Sequence, residues 1–101
     1  MKAIIDGKRY DTETATVIAE WSNGYLYSDF AYCAETLYRT KKGTWFLNGE
    51  GGAHSRYGRS VGDRICGGSR IVPLSDAEAR EWLESHRETA AIDAHFPVEE
   101  A

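Results

Sequence analysis

The sequence predicts an α+β fold: a small antiparallel β-sheet, made of two hairpins and a late strand, with a C-terminal amphipathic helix packed on one face. Three stretches predict it. Glu35 to Gly52 reads ETLYRTKKGTWFLNGEGG, two strand-like runs around a Lys41-Lys42-Gly43 turn. Asp6-Gly7 sits between the short runs 3–5 and 8–10, a dipeptide suited to a two-residue hairpin loop. Ser75-Asp76-Ala77-Glu78 opens a segment whose apolar residues recur at helical spacing. Strands come first and the helix last, the order of a sheet with a helix laid on it.

From the N-terminus, the Asp6-Gly7 hairpin is short and needs other strands to lean on. Asp11 to Ala15 suits one helical turn, with Asp or Thr capping it and Glu13 in its first turn. Thr16 to Trp21 then runs as a strand, because its β-branched residues lose side-chain freedom in a helix. Ser22-Asn23-Gly24 ends that strand in a turn. Tyr25 to Phe30 is aromatic and irregular, and it either lids the core or makes a sticky surface. A core lid is the expectation, since large aromatics are mostly buried.

In the central hairpin, Trp45 and Phe46 are adjacent and must point to opposite faces. One meets the core; the other meets a helix, a loop or a partner. Gly49-Glu50-Gly51-Gly52 lacks the Gly-Lys-Ser/Thr of a phosphate loop, and His54 stands where a third glycine is needed. It reads as a strand exit that uses glycine for positive φ. Ala53 to Gly68 is expected to be the least structured stretch, and Ser69 to Pro73 the last strand.

In the C-terminal helix, Ser75 caps and Glu78 reaches back. Ala79, Trp82, Leu83 and His86 form the inward stripe, while Glu78, Arg80, Glu81, Glu84 and Arg87 face out. A second short helix is expected over Thr89 to Ala94. The domain is expected to span 1–96, with 97–101 a frayed tail.

Composition narrows the function classes. A 42% hydrophobic share of 101 residues supports one core. No apolar run approaches the roughly 20 residues of a membrane span. The start MKAIIDGK has no apolar signal region, so reduced cysteines and a cytoplasmic location are expected. The net charge of −4 is unevenly spread. Residues 71–101 carry 8 acidic and 2 basic side chains, whereas 39–70 carry 7 basic and 2 acidic. Such a dipolar chain can meet a cationic partner at one end or an anionic one at the other.

No catalytic set stands out. Cys33, Cys66, His54, His86 and His95 lack zinc-ligand spacing, and His54-Ser55 lacks a nucleophile elbow. The expectation is therefore no enzyme activity, no metal and no cofactor. Two binding readings remain. Asp76, Glu78, Glu81, Glu84 and Glu88 recur at helical spacing and can imitate a row of phosphates. Tyr25 and Tyr27 would add aromatic anchoring to that partner surface, and Asp29, between them and Phe30, a further carboxylate. Alternatively Arg39, Lys41, Lys42, Arg56, Arg59 and Arg64, interleaved with Trp45 and Tyr57, suit a nucleic-acid groove. The pI of about 5.3 argues against direct nucleic-acid binding.

IDGKRYDTETA, ETLYRTKKGTWFLNGEGG and IVPLSDAEAREWLESH, in that order from about Ile4 to His86, resemble a family of small proteins. Its members are encoded on bacterial phages, plasmids and integrative elements, and most have no assigned activity. Small acidic proteins in that setting are often anti-CRISPR inhibitors. The resemblance thus implies a non-enzymatic inhibitor of a bacterial defence system, such as an anti-CRISPR protein blocking a nucleic-acid-binding surface of a CRISPR effector. The alternative is a nucleic-acid-binding accessory protein of a mobile element, using the basic hairpin and loop.

Overall fold

A computed structural model describes all 101 residues. Eight strands and two helices follow in chain order: β1 Lys2–Ile5, β2 Lys8–Asp11, β3 Thr16–Ser22, β4 Cys33–Arg39, β5 Trp45–Gly51, β6 Arg59–Val61, β7 Arg64–Cys66, β8 Gly68–Leu74, α1 Asp76–Ser85 and α2 Thr89–His95. The architecture is α+β. Its centre is a four-stranded antiparallel sheet of order β3-β4-β5-β8.

The strongly β-prone runs on either side of Lys41-Lys42-Gly43 form β4 and β5, and Gly43 takes φ +90° in the turn. Alternation splits the sheet into two faces. On one, Leu37, Trp45 and Leu47 pack against Ala79, Trp82 and Leu83 of α1. On the other, Phe46 and Ile71 pack against Tyr10. Trp45 and Phe46 therefore serve two separate cores.

The first hairpin departs from the expected sheet. β1 and β2 pair only with each other and lie against the sheet face opposite the helices. Four-residue strands bury little of their own surface, so this hairpin gains more by covering Phe46 and Ile71 than by extending an edge. Its turn is as expected, with Asp6 at φ 51° and Gly7 at φ 76°.

Three further differences are physical. Stretch 53–68 is not structureless: β6 and β7 form a hairpin around Gly62, at φ 64°. Their short runs carried too little alternation to be recognised. Tyr25 to Phe30 does not lid the core: Tyr27 and Leu26 are each 78% exposed and Phe30 66%. Trp45, Trp82 and Leu83 fill that core already. Finally, Gly49, Gly51 and Gly52 do not adopt positive φ. They are glycine because neighbours come too close for any side chain.

The helix begins where the capping box places it. Ser75 Oγ accepts from Glu78 N–H at 3.1 Å, and Glu78 Oε1 accepts from Ser75 N–H at 2.9 Å. It ends in a Schellman motif: Glu88 N–H donates to Leu83 O and Arg87 N–H to Glu84 O. Arg87 occupies the left-handed position at φ 58°, where glycine is the usual residue. His86 packs between Trp21, tilted by 30°, and Trp82, edge-on at 65°, with centroid distances of 4.7 and 4.4 Å.

Candidate functional site

The acidic residues expected on α1 are presented by its geometry. With Ala79, Trp82 and Leu83 turned inward, Asp76, Glu81 and Glu84 are exposed. None of the carboxylates after residue 71 pairs with a cation of this chain; the one ion pair is Arg56 with Glu35, at 3.1 Å. Glu78 is also exposed, but its carboxylate is spent on the capping box. Glu88 is half-buried and starts α2, with no side-chain capping bond.

The 25–30 loop is exposed yet firmly tied. Leu26 O accepts from Asp29 N–H, and Asp29 Oδ1 accepts from Ala31 N–H at 2.8 Å. Asn23 Nδ2 donates to Ala31 O at 2.7 Å, and His54 N–H donates to Phe30 O. Bare Gly52 lets the backbone of Asp29 and Phe30 lie directly on it. Tyr25, Leu26, Tyr27 and Phe30 thus project from a fixed backbone. Tyr27 also leans on Tyr32, 5.3 Å between rings.

The cations expected to line one nucleic-acid groove are not brought together. Arg39 is turned inward: its guanidinium covers the Trp45 ring at 4.7 Å and hydrogen-bonds Gly43 O and His95. Arg56 is held by Glu35. Lys41 and Lys42 lie in the β4–β5 turn, at one end of the sheet. Arg59 and Arg64 lie at the other, on the hairpin beside Gly51 and Gly68. A seven-residue strand separates the two ends, about 23 Å.

Sequence reasoning missed a buried cluster around Glu35, which is only 4% exposed. One carboxylate oxygen accepts from Trp82 Nε1 at 2.9 Å. The other accepts from the Tyr57 hydroxyl and from Arg56. Burial first, and then the carboxylate at its hydroxyl, push the Tyr57 phenol well above the ordinary tyrosine value. Nearby Cys33 is also raised, chiefly by burial and then by Glu35, so its thiol stays protonated and unreactive. With three donors on it, Glu35 fastens the 52–58 loop and α1 to β4. A signal did exist: Glu35 alternates with buried Cys33 and Leu37, which puts it on the core face.

No family model, curated protein or solved structure matches this chain.

Proposed function

We propose that the protein is a non-enzymatic inhibitor that docks on a cationic, nucleic-acid-binding surface of a bacterial defence protein, such as a CRISPR effector. One observation carries this reading: Asp76, Glu81 and Glu84 of the acidic C-terminal module face solvent, and none of them is ion-paired, although Arg80 and Arg87 lie on the same segment. Unpaired carboxylates on a rigid helix attract a cationic surface and speed encounter. The fastened aromatic loop supplies what charge alone does not, side chains able to fill a partner's pockets. The resemblance in the sequence favours a host defence protein as the partner. The division of the free cations between opposite ends of the sheet weakens the alternative of a continuous nucleic-acid track.

The experiment uses the purified chain against guide-loaded CRISPR effectors, reading effector–DNA binding. Glu81→Lys with Glu84→Lys should slow association with the inhibited effector and abolish inhibition at moderate salt, since such attraction is screened within about 10 Å at 0.1 M. Lys41→Glu with Lys42→Glu should leave inhibition nearly intact. The opposite pattern, or no inhibition of any host effector by the wild-type chain at low salt, overturns the reading.

A further inference from the structure

A second charged feature lies away from α1. The β1–β2 turn and the β4–β5 turn enclose a cleft of about 520 Å³ that is lined by Lys8, Arg9, Lys41 and Lys42. Packing brings these two turns together. Tyr10, next in chain to Arg9, sets its ring edge on Phe46 at 5.5 Å, and both are buried. That contact lays the first hairpin across the end of the sheet where Lys41 and Lys42 turn.

None of the four cations has a carboxylate partner within the chain. Asp11 is the one acid in the lining, and its Oδ1 already accepts from Glu13 N–H at 2.9 Å. Three threonines join the lining, Thr14, Thr40 and Thr44. Thr40 Oγ1 accepts from Thr44 N–H at 3.0 Å, which leaves its own proton to donate. Four cationic side chains lining one cleft give it a positive potential that favours an anion.

We propose that this cleft binds a compact oligophosphate: inorganic tripolyphosphate or the phosphate chain of a nucleotide. Ammonium, guanidinium and hydroxyl donors are the groups that recognise phosphate oxygens. The volume falls in the small-ligand range of about 300–1,000 Å³. A polynucleotide strand fits less well. It needs cations along its length and exposed rings for its bases. Here Arg59 and Arg64 lie at the far end of the sheet, Arg80 and Arg87 lie with the helix on its other face, and the one aromatic in the lining, Tyr10, is buried.

Calorimetric titration at low salt tests this, with tripolyphosphate, ATP, adenosine and a single-stranded oligonucleotide long enough to span the sheet. Tripolyphosphate and ATP should each saturate one site and weaken as salt rises, while adenosine should not bind. Tripolyphosphate binding as tight as ATP binding assigns recognition to the phosphates alone; ATP binding markedly tighter adds the nucleoside to the ligand. Lys41→Gln with Lys42→Gln, and separately Lys8→Gln with Arg9→Gln, should weaken binding about tenfold or more. All four side chains are exposed, and a thermal melt checks that each variant folds. Arg59→Gln with Arg64→Gln should change nothing. Absence of saturable binding by both phosphates overturns the proposal. So does an oligonucleotide that outcompetes tripolyphosphate and needs Arg59 and Arg64, which would instead mark a strand-binding surface.

Discussion

Gly49 stands directly across the β4–β5 ladder from Glu35, and the space left by its missing side chain is filled by the ring of Tyr57. The ring enters over Gly49 and reaches across to the carboxylate. Arg56 and Arg70 flank it, with guanidinium carbons 5.2 and 5.0 Å from the ring centroid. A glycine on one strand thereby admits the hydroxyl that a buried acid on the next strand requires.

Glu35→Ala should strand two buried donors, Tyr57 Oη and Trp82 Nε1. At about 1–3 kcal/mol for each, the loss is about 2–6 kcal/mol, measured by urea unfolding. In a Tyr57→Phe background the same change should cost less, because one donor is already gone. Equal costs in the two backgrounds would show that the phenol and the acid are not coupled. Arg56→Ala should cost under about 1 kcal/mol, since Arg56 is half exposed and its pair is partly screened.

Gly49→Ala should destabilise by about 1–3 kcal/mol, because a methyl there overlaps the Tyr57 ring. The penalty should shrink sharply in a Tyr57→Ala background. An unchanged melting temperature for Gly49→Ala alone would show that the ring is free to move aside.

Arg87→Gly should stabilise the chain by about 1 kcal/mol. The residue holds φ 58° at the end of α1, a conformation that costs a side-chain-bearing residue about 1–2 kcal/mol. Chemical denaturation reads the gain; a lower midpoint would mean that the Arg87 side chain contributes more than its backbone costs.

Alkaline pH should weaken the fold through Tyr57. Its phenol is raised above the ordinary tyrosine value of 10.0. Above that value the unfolded chain loses the proton while the folded chain keeps it, so stability falls as pH climbs from the unfolded value towards the folded one. Tyr57→Phe should flatten part of this decline. Phenolate absorbance should show one tyrosine ionising only with unfolding.

Much of the fold was legible because its signals are local. Asp6-Gly7 and Gly43 mark turns through backbone freedom, and the Ser75–Glu78 capping box is complete within four residues. The helix stripe of Ala79, Trp82 and Leu83 follows from the periodicity of a single element. The Arg59–Cys66 hairpin was illegible for the same reason, as strands of three residues hold almost no periodic signal.

Local signals settled the Asp6-Gly7 and Lys41–Gly43 hairpins, the helix start and the acidic character of the C-terminal module. Each depends on residues close in the chain. Tertiary structure alone decided the rest. It laid the first hairpin on the back of the sheet and so made a cationic cleft from Lys8, Arg9, Lys41 and Lys42. It sent Arg59 and Arg64 to the opposite end, and it left the 25–30 aromatics outside a core already filled by Trp45 and Trp82. It also joined Glu35 to Trp82, 47 residues away. Charges and rings distant in sequence become a site only through packing, which depends on competition for buried space across the whole chain.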